Sequence, residues 1–382
     1  MKKYLCILII GILFFSCSTE KKGIDTIIED GVEVVLNHLV PYKIKDEHTN
    51  FHLQEEFVID FGSPEIGELG IADATNFEID SKGYIYFSYS HKQGDMIYKF
   101  NEKGRFLKSW GMKGQGPGEM QFIISTYITP EDDLVVSDHS NKRILWFSNE
   151  GELINEIGYP RENNYFIVYI IGGKRFIGYS QEFTKVDSDY FDFVYTLLDH
   201  NFKVIKKLDV YKYPNPITKG RRGINVNDFF EAKRSGDYIY VGNEDRGYEI
   251  LKFDLQGNLM QKIRKEYIPV KVPNELIKRR KEYFSRPGEK YFFPESYLPI
   301  CDFFLDENNR LYIMTFEKGE ISGEYWYDIF NSEGVFINRK TLPILSGGEI
   351  FAFAKVKNDR LYCLQEKDDG FRIFKVYNMN WN

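Results

Sequence analysis

The chain has 382 residues, 43% of them hydrophobic and 28% charged, which suffices for a large core and excludes a disordered chain. Its net charge of −7 gives no support to a global role in nucleic-acid binding. With 27 Tyr and 32 Phe the composition favours strands, because aromatic side chains fit a pleated, half-buried surface.

The chain starts MKKYLCILIIGILFFSCSTEKKG. Lys2 and Lys3 precede an apolar run from Tyr4 to Phe15 that is too short to span a bilayer as a helix. Ser16-Cys17 and a polar stretch follow, so the segment resembles a bacterial lipoprotein signal. On that resemblance, residues 1–16 are removed and Cys17 is acylated. Each buried CH₂ of an acyl chain contributes ~0.8 kcal/mol, and more than one chain holds stably. The alternative is an ordinary cleaved signal with an incidental Cys. The expected location is the envelope of a Gram-negative bacterium, facing the periplasm or the outer membrane, with membrane contact through the lipid. Residues 17–50 then read as a tether carrying a hairpin, IDTIIEDGVEVVLNH.

From there a four-strand pattern recurs: strand, tight turn, strand, loop, strand ending in a polar residue, Gly turn, strand. Its copies occupy 76–111, 127–158, 166–209, 229–263, 302–340 and 351–382. Segments such as Ser81-Lys82-Gly83 and Asn358-Asp359 tolerate the positive φ of hairpin turns. Asn101, Ser148, Asp254 and Asn331 each precede a Gly by three positions, which suggests a second turn. Six such units predict an all-β fold: a six-bladed β-propeller of four-stranded blades over residues 51–382. The sixth copy lacks its last strand, and an open ring leaves an edge that invites aggregation. The orphan strand HLQEEFVIDFG, residues 52–62, is therefore expected to close the ring by completing the last blade.

The second copy contains GMKGQGPGEMQFI and VVSDHSNKRILWFSNEG, which resemble the NHL propeller repeat. The matching positions are Gly116, Pro117, Gly118, Phe122, Asp138, Asn141, Arg143, Ile144, Phe147 and Gly151. The resemblance implies that Asp138, Asn141 and Arg143 fix turns between strands. With its anchor, the whole chain resembles six-bladed propeller lipoproteins of Bacteroidetes type. That resemblance implies architecture rather than an activity.

Catalytic signatures are missing from the sequence: it has no GxSxG elbow, no P-loop, no dinucleotide fingerprint and no zinc-type spacing. The six His are scattered, without HExxH spacing. Some six-bladed enzymes hold calcium in the central channel, and calcium takes 6 to 8 oxygen ligands. The residues here that could line such a channel are Asn76, Glu78, Asp228, Glu231, Asp302 and Glu349, with solvated channel residues as the alternative. Cys301 and Cys363 either pair or remain buried thiols.

The largest departure from the repeat is a helical insertion near 268–298, between the fourth and fifth copies. Pro273 suits a first helical position, and Leu276, Ile277, Tyr283 and Phe284 fall on one helical face. A second basic stretch, TKGRRGIN at 218–225, precedes the fourth copy. Both lead into innermost strands, so both should lie on one propeller face. Arg221, Arg222, Arg279 and Arg280, with Tyr291 and Tyr297, are the candidate ligand-binding residues. The alternative is a helix packed by its apolar face with solvated basic residues.

These readings favour a lipid-anchored, monomeric envelope propeller. It would bind a glycan or an envelope protein through one face, without catalysis, cofactor or nucleic acid. A metal-dependent propeller hydrolase or lyase with its site at the central channel is the rival, and an envelope-assembly propeller is the third reading.

Overall fold

Alternating side chains and polar turns produce short antiparallel strands throughout the chain. The computed structural model describes residues 24–71, 76–89, 95–160, 165–171, 175–182, 190–214, 221–223, 229–284, 290–292, 294–344, 354–367 and 370–382. Cys17, Asp228 and Glu349 lie outside the described residues.

Six blades, each with four antiparallel propeller strands, consecutive in the chain in all but the last, surround a channel. Blade one comprises Asn76–Ile79, Ile85–Ser88, Asp95–Phe100 and Phe106–Met112. Blade two comprises Ile123–Ile128, Leu134–Asp138, Arg143–Phe147 and Leu153–Gly158. Phe166–Ile171, Arg175–Glu182, Tyr190–Leu198 and Val204–Pro214 form blade three. Blade four holds Phe230–Ser235, Tyr238–Asn243, Glu249–Asp254 and Leu259–Lys265. Blade five holds Asp302–Leu305, Leu311–Lys318, Tyr325–Phe330 and Phe336–Thr341. Ala354–Lys357, Arg360–Glu366 and Arg372–Trp381 form the inner three strands of blade six.

The fourth strand of blade six is Phe51–Asp60, which runs antiparallel to Arg372–Trp381 from Asp60↔Ile373 to Phe51↔Trp381. The N-terminal strand thus closes the ring, as the missing fourth strand of the sixth copy predicts. Apolar side chains fill the spaces between facing sheets. Between blades six and one, Phe77, Phe87 and Phe374 meet edge-on or tilted, with centroids 4.9 to 6.4 Å apart.

The turn between the third and fourth strands has one chemistry in five blades. Asn101, Ser148, Asp199, Asp254 and Asn331 each accept backbone N–H bonds from the residues two and four ahead. The residue three ahead then takes positive φ. It is Gly104, Gly151, Gly257 or Gly334 in four blades and Phe202, at φ 60°, in blade three. Phe202 is held there by packing: its ring stacks on Phe176 at 4.5 Å.

The hairpin of Asp25–Glu29 and Val32–Asn37 does not hang from the propeller. Val32–Asn37 pairs in parallel with Leu259–Lys265, so blade four has six strands. Val34 and Val35 are buried there. Asn37 is buried too: its amide donates to the Gly334 and Arg264 carbonyls and its oxygen accepts from the Phe336 N–H. At the surface Glu29 makes a two-pronged contact with Arg264 at 2.9 and 3.1 Å. The chain then crosses to blade five, where the Tyr42 N–H donates to the Phe336 carbonyl.

Cys301 and Cys363 are buried thiols and form no disulfide, and burial pushes both thiols up, Cys363 to about 12. Among the described residues, no helix is long and apolar enough to cross a membrane.

Candidate ligand-binding face

In each blade the innermost strand enters from one face and leaves by a hairpin at the other. On the hairpin face the turns are laced together. Asp132 accepts from the Ser81 N–H and hydroxyl, the Asn358 amide donates to the Ser81 carbonyl, and Glu307 accepts from the Asn358 N–H. The opposite face carries the long connections.

There the two basic insertions meet. Arg221–Gly223 pairs in parallel with Lys290–Phe292, with Arg221 opposite Lys290 and Arg222 opposite Tyr291. A helix, Asn274–Phe284, lies in the chain between blade four and the Lys290–Phe292 strand of this ladder. Leu276 and Ile277 are half-buried, whereas Lys278 and Arg279 are exposed, so the helix presents its basic side to water. Arg280 is the next residue of the same helix. Tyr297 is placed differently from the other candidates. It is half-buried, stacks on Phe316 at 4.4 Å, and stands in the wall of a small cavity below the insertion.

The central channel has a volume of about 840 Å³ and is lined by all six innermost strands. Its polar residues join neighbouring blades. The Asn76 amide donates to the Thr126 hydroxyl at 3.1 Å, and the Ser125 hydroxyl donates to the Ile167 carbonyl at 2.8 Å. Arg234 donates to the Ile170 carbonyl at 3.1 Å. Lys355 meets Glu78 at 2.6 Å, and Lys233 lies 3.5 Å from Glu231 and 3.7 Å from Asp302.

These lysines decide what the channel can hold. Burial raises the Glu78 carboxyl despite Lys355, and burial with neighbouring Asp302 raises Glu231. Burial alone would lower Lys233, but Asp302 and Glu231 together hold it above its ordinary value. Glu78, Glu231 and Asp302 each have an ammonium group within 3.7 Å, which offsets the charge a calcium cage would need, so the described channel residues do not fit one. Among the described residues, no three His, Cys, Asp or Glu side chains cluster as metal ligands. The carboxylates were visible in the sequence; their lysine partners were overlooked. The signal was there in the innermost strands, where Glu231 and Lys233 recur at the two-residue spacing that faces one side.

The residues that resemble an NHL repeat serve the fold. Asp138 is fully buried and accepts from the N–H groups of Gln121 and Phe122 and from the Asn141 amide at 2.6 Å. Arg143 donates to the carbonyls of Gly116 and Glu119 and to Glu156. Together they clamp the Gly-rich loop onto blade two.

With this geometry the protein is an all-β, six-bladed propeller. Residues 78–228 match the model of a family, DUF5128, described as a 6-bladed beta-propeller. A member of the DUF4221 family from Bacteroides vulgatus is similar in structure, with a TM-score of 0.54 at 14% identity, over 88% of this chain and 100% of that one. A Bacteroides fragilis protein described as exported has a TM-score of 0.49 at 12% identity, over 90% and 99%. Virginiamycin B lyase from Staphylococcus aureus has a TM-score of 0.41 at 10% identity, over 86% and 99%. At these identities the likeness is one of fold. No curated protein matches the chain.

Proposed function

We propose that this protein is a monomeric cell-envelope propeller, anchored through acylated Cys17, that binds an anionic ligand through the face carrying its long connections. The ligand class is an acidic glycan or an acidic patch of an envelope protein. The reading rests on one observation: the two basic insertions are joined by the ladder Arg221–Gly223 with Lys290–Phe292. An acidic protein with a locally basic rim draws anions to that rim, and salt weakens the attraction. Binding without chemistry is favoured over the channel enzyme because lysines neutralise the channel carboxylates.

The test changes Arg221, Arg222, Arg279 and Arg280 to Ala and screens parent and variant on an acidic-glycan array at low and moderate salt. Binding by the parent that falls with salt and is lost in the variant supports the reading; no binding by the parent, or equal binding by both, contradicts it. Cys17→Ser should move the protein from the membrane to the soluble fraction. If the variant stays with membranes through a high-salt wash, the anchor is wrong.

A further inference from the structure

On the same face, but outside the channel, a cavity of about 140 Å³ sits at the seam of blades four and five. It shares no lining residue with the channel. Its roof is formed by the two legs of the insertion, Tyr267–Val270 and Tyr297–Pro299, and by Leu39 of the N-terminal segment. Its floor is polar. Asp328 is 1% exposed, and one carboxylate oxygen, Oδ2, accepts from the Tyr248 hydroxyl at 2.6 Å and lies 3.3 Å from Lys265 Nζ. The other oxygen, Oδ1, is buried and has no hydrogen-bond partner among the described residues. Arg339 Nε is 3.6 Å from Oδ1, and its Nη2 reaches Glu317 at 2.6 Å.

A buried acceptor without a donor costs free energy unless something fills the space and supplies one. The occupant must bring a hydrogen-bond donor to Oδ1. It has no need of net charge, because Lys265 and Arg339 offset Asp328 and Glu317. Tyr248, Tyr267 and Tyr297 offer ring surface for apolar C–H groups. A cavity of about 150 Å³ holds one benzene, so this volume takes the ring and its inner hydroxyls while the outer substituents of a pyranose lie in the entrance. Leu39, Tyr267 and Ile268 are exposed at the entrance, so a substituent on the ring has a way out. We infer that this cavity is a binding site for a single neutral pyranose ring, free or at the end of a glycan, with a ring hydroxyl donating to Asp328 Oδ1.

The inference is independent of the basic rim, and its test separates the two. Full-length protein is titrated with methyl glucoside, galactoside and mannoside and followed by saturation-transfer NMR. At least one should bind, and binding should persist when the four rim arginines are Ala. Val270→Phe, which fills the cavity without touching Asp328, should weaken binding at least tenfold. Asp328→Asn, which replaces the acceptor pair with an amide, should also weaken it at least tenfold. The site is refuted if none of the three sugars binds the parent, if Val270→Phe binds as the parent does, or if a sugar-soaked crystal shows only water at Oδ1.

Discussion

Blades six and four both receive strands from the N-terminal part of the chain, and they receive them in opposite ways. Blade six gains the strand it lacks. Phe51–Asp60 pairs antiparallel along the length of Arg372–Trp381 and continues into the buried Phe61 between blades six and one. Blade four already has its four strands and gains two more. Val32–Asn37 pairs in parallel through five residues, and Asp25–Glu29 adds a further edge. One addition is part of the ring; the other covers the outer edge of an already complete blade. The difference teaches that strand pairing alone does not rank importance. Closure joins the two ends of a circular core, whereas the hairpin adds a local layer.

Truncation is the bluntest way to break this comparison. Removing residues 17–62 takes away Phe51, Ile59 and Phe61, all buried, and opens blade six. Each such side chain contributes about 1.5–3 kcal/mol when buried. Their sum is comparable with the whole stability of a domain, about 5–15 kcal/mol. The expected result is loss of the cooperative thermal transition. Removing residues 17–48 leaves that strand in place and loses Val34 and Val35, so a folded propeller about 3–6 kcal/mol less stable is expected. Equal melting temperatures for the two truncations would show that blade six does not need its N-terminal strand.

A point change sharpens the second half. Asn37→Ala removes three hydrogen bonds and leaves the Phe336 N–H buried without its partner. A loss of about 1–3 kcal/mol is expected in chemical denaturation. A loss as large as that of the full hairpin deletion would mean that Asn37 alone seats the hairpin. No loss at all would mean that the hairpin is held elsewhere.

The smallest effect is a pH dependence. His38 bridges Asp25 at 3.0 Å and Glu266 at 3.2 Å, linking the hairpin to the start of the insertion. Its bonds to Asp25 and then Glu266 raise its pKa above the usual value of about 6.5. A raised folded value means that the contribution is complete below the unfolded pKa and disappears as pH climbs through the folded one. The pair is exposed, so the shift is modest. The melting temperature of His38→Ala should fall below that of the parent at pH 5.5 and converge with it at pH 8.5. A gap that widens towards pH 8.5 would reverse the assignment.

Counting strands and Gly turns revealed the fold, including the fourth strand that the sixth copy lacks. Asn101, Ser148, Asp254 and Asn331 announced their turns because a Gly follows each at the same distance. Asp199 makes the same turn with Phe202 in place of Gly and so escaped notice. The docking of the hairpin left no local trace, because a parallel edge contact between segments more than 200 positions apart has no spacing to read. The meeting of the two basic insertions followed from the propeller's connectivity. The seam cavity did not, since Lys265, Asp328 and Arg339 come from three strands of two blades and are joined only by packing.

The most direct test of ring closure is hydrogen exchange in the intact protein, followed by mass spectrometry. The N–H groups of Phe51–Asp60 that bond to Arg372–Trp381 should exchange at the slow rate of global unfolding, together with their partners, while Asp25–Asn37 opens earlier by local detachment. Exchange of Phe51–Asp60 as fast as the hairpin, with Arg372–Trp381 still protected, would contradict the claim that this strand closes the propeller.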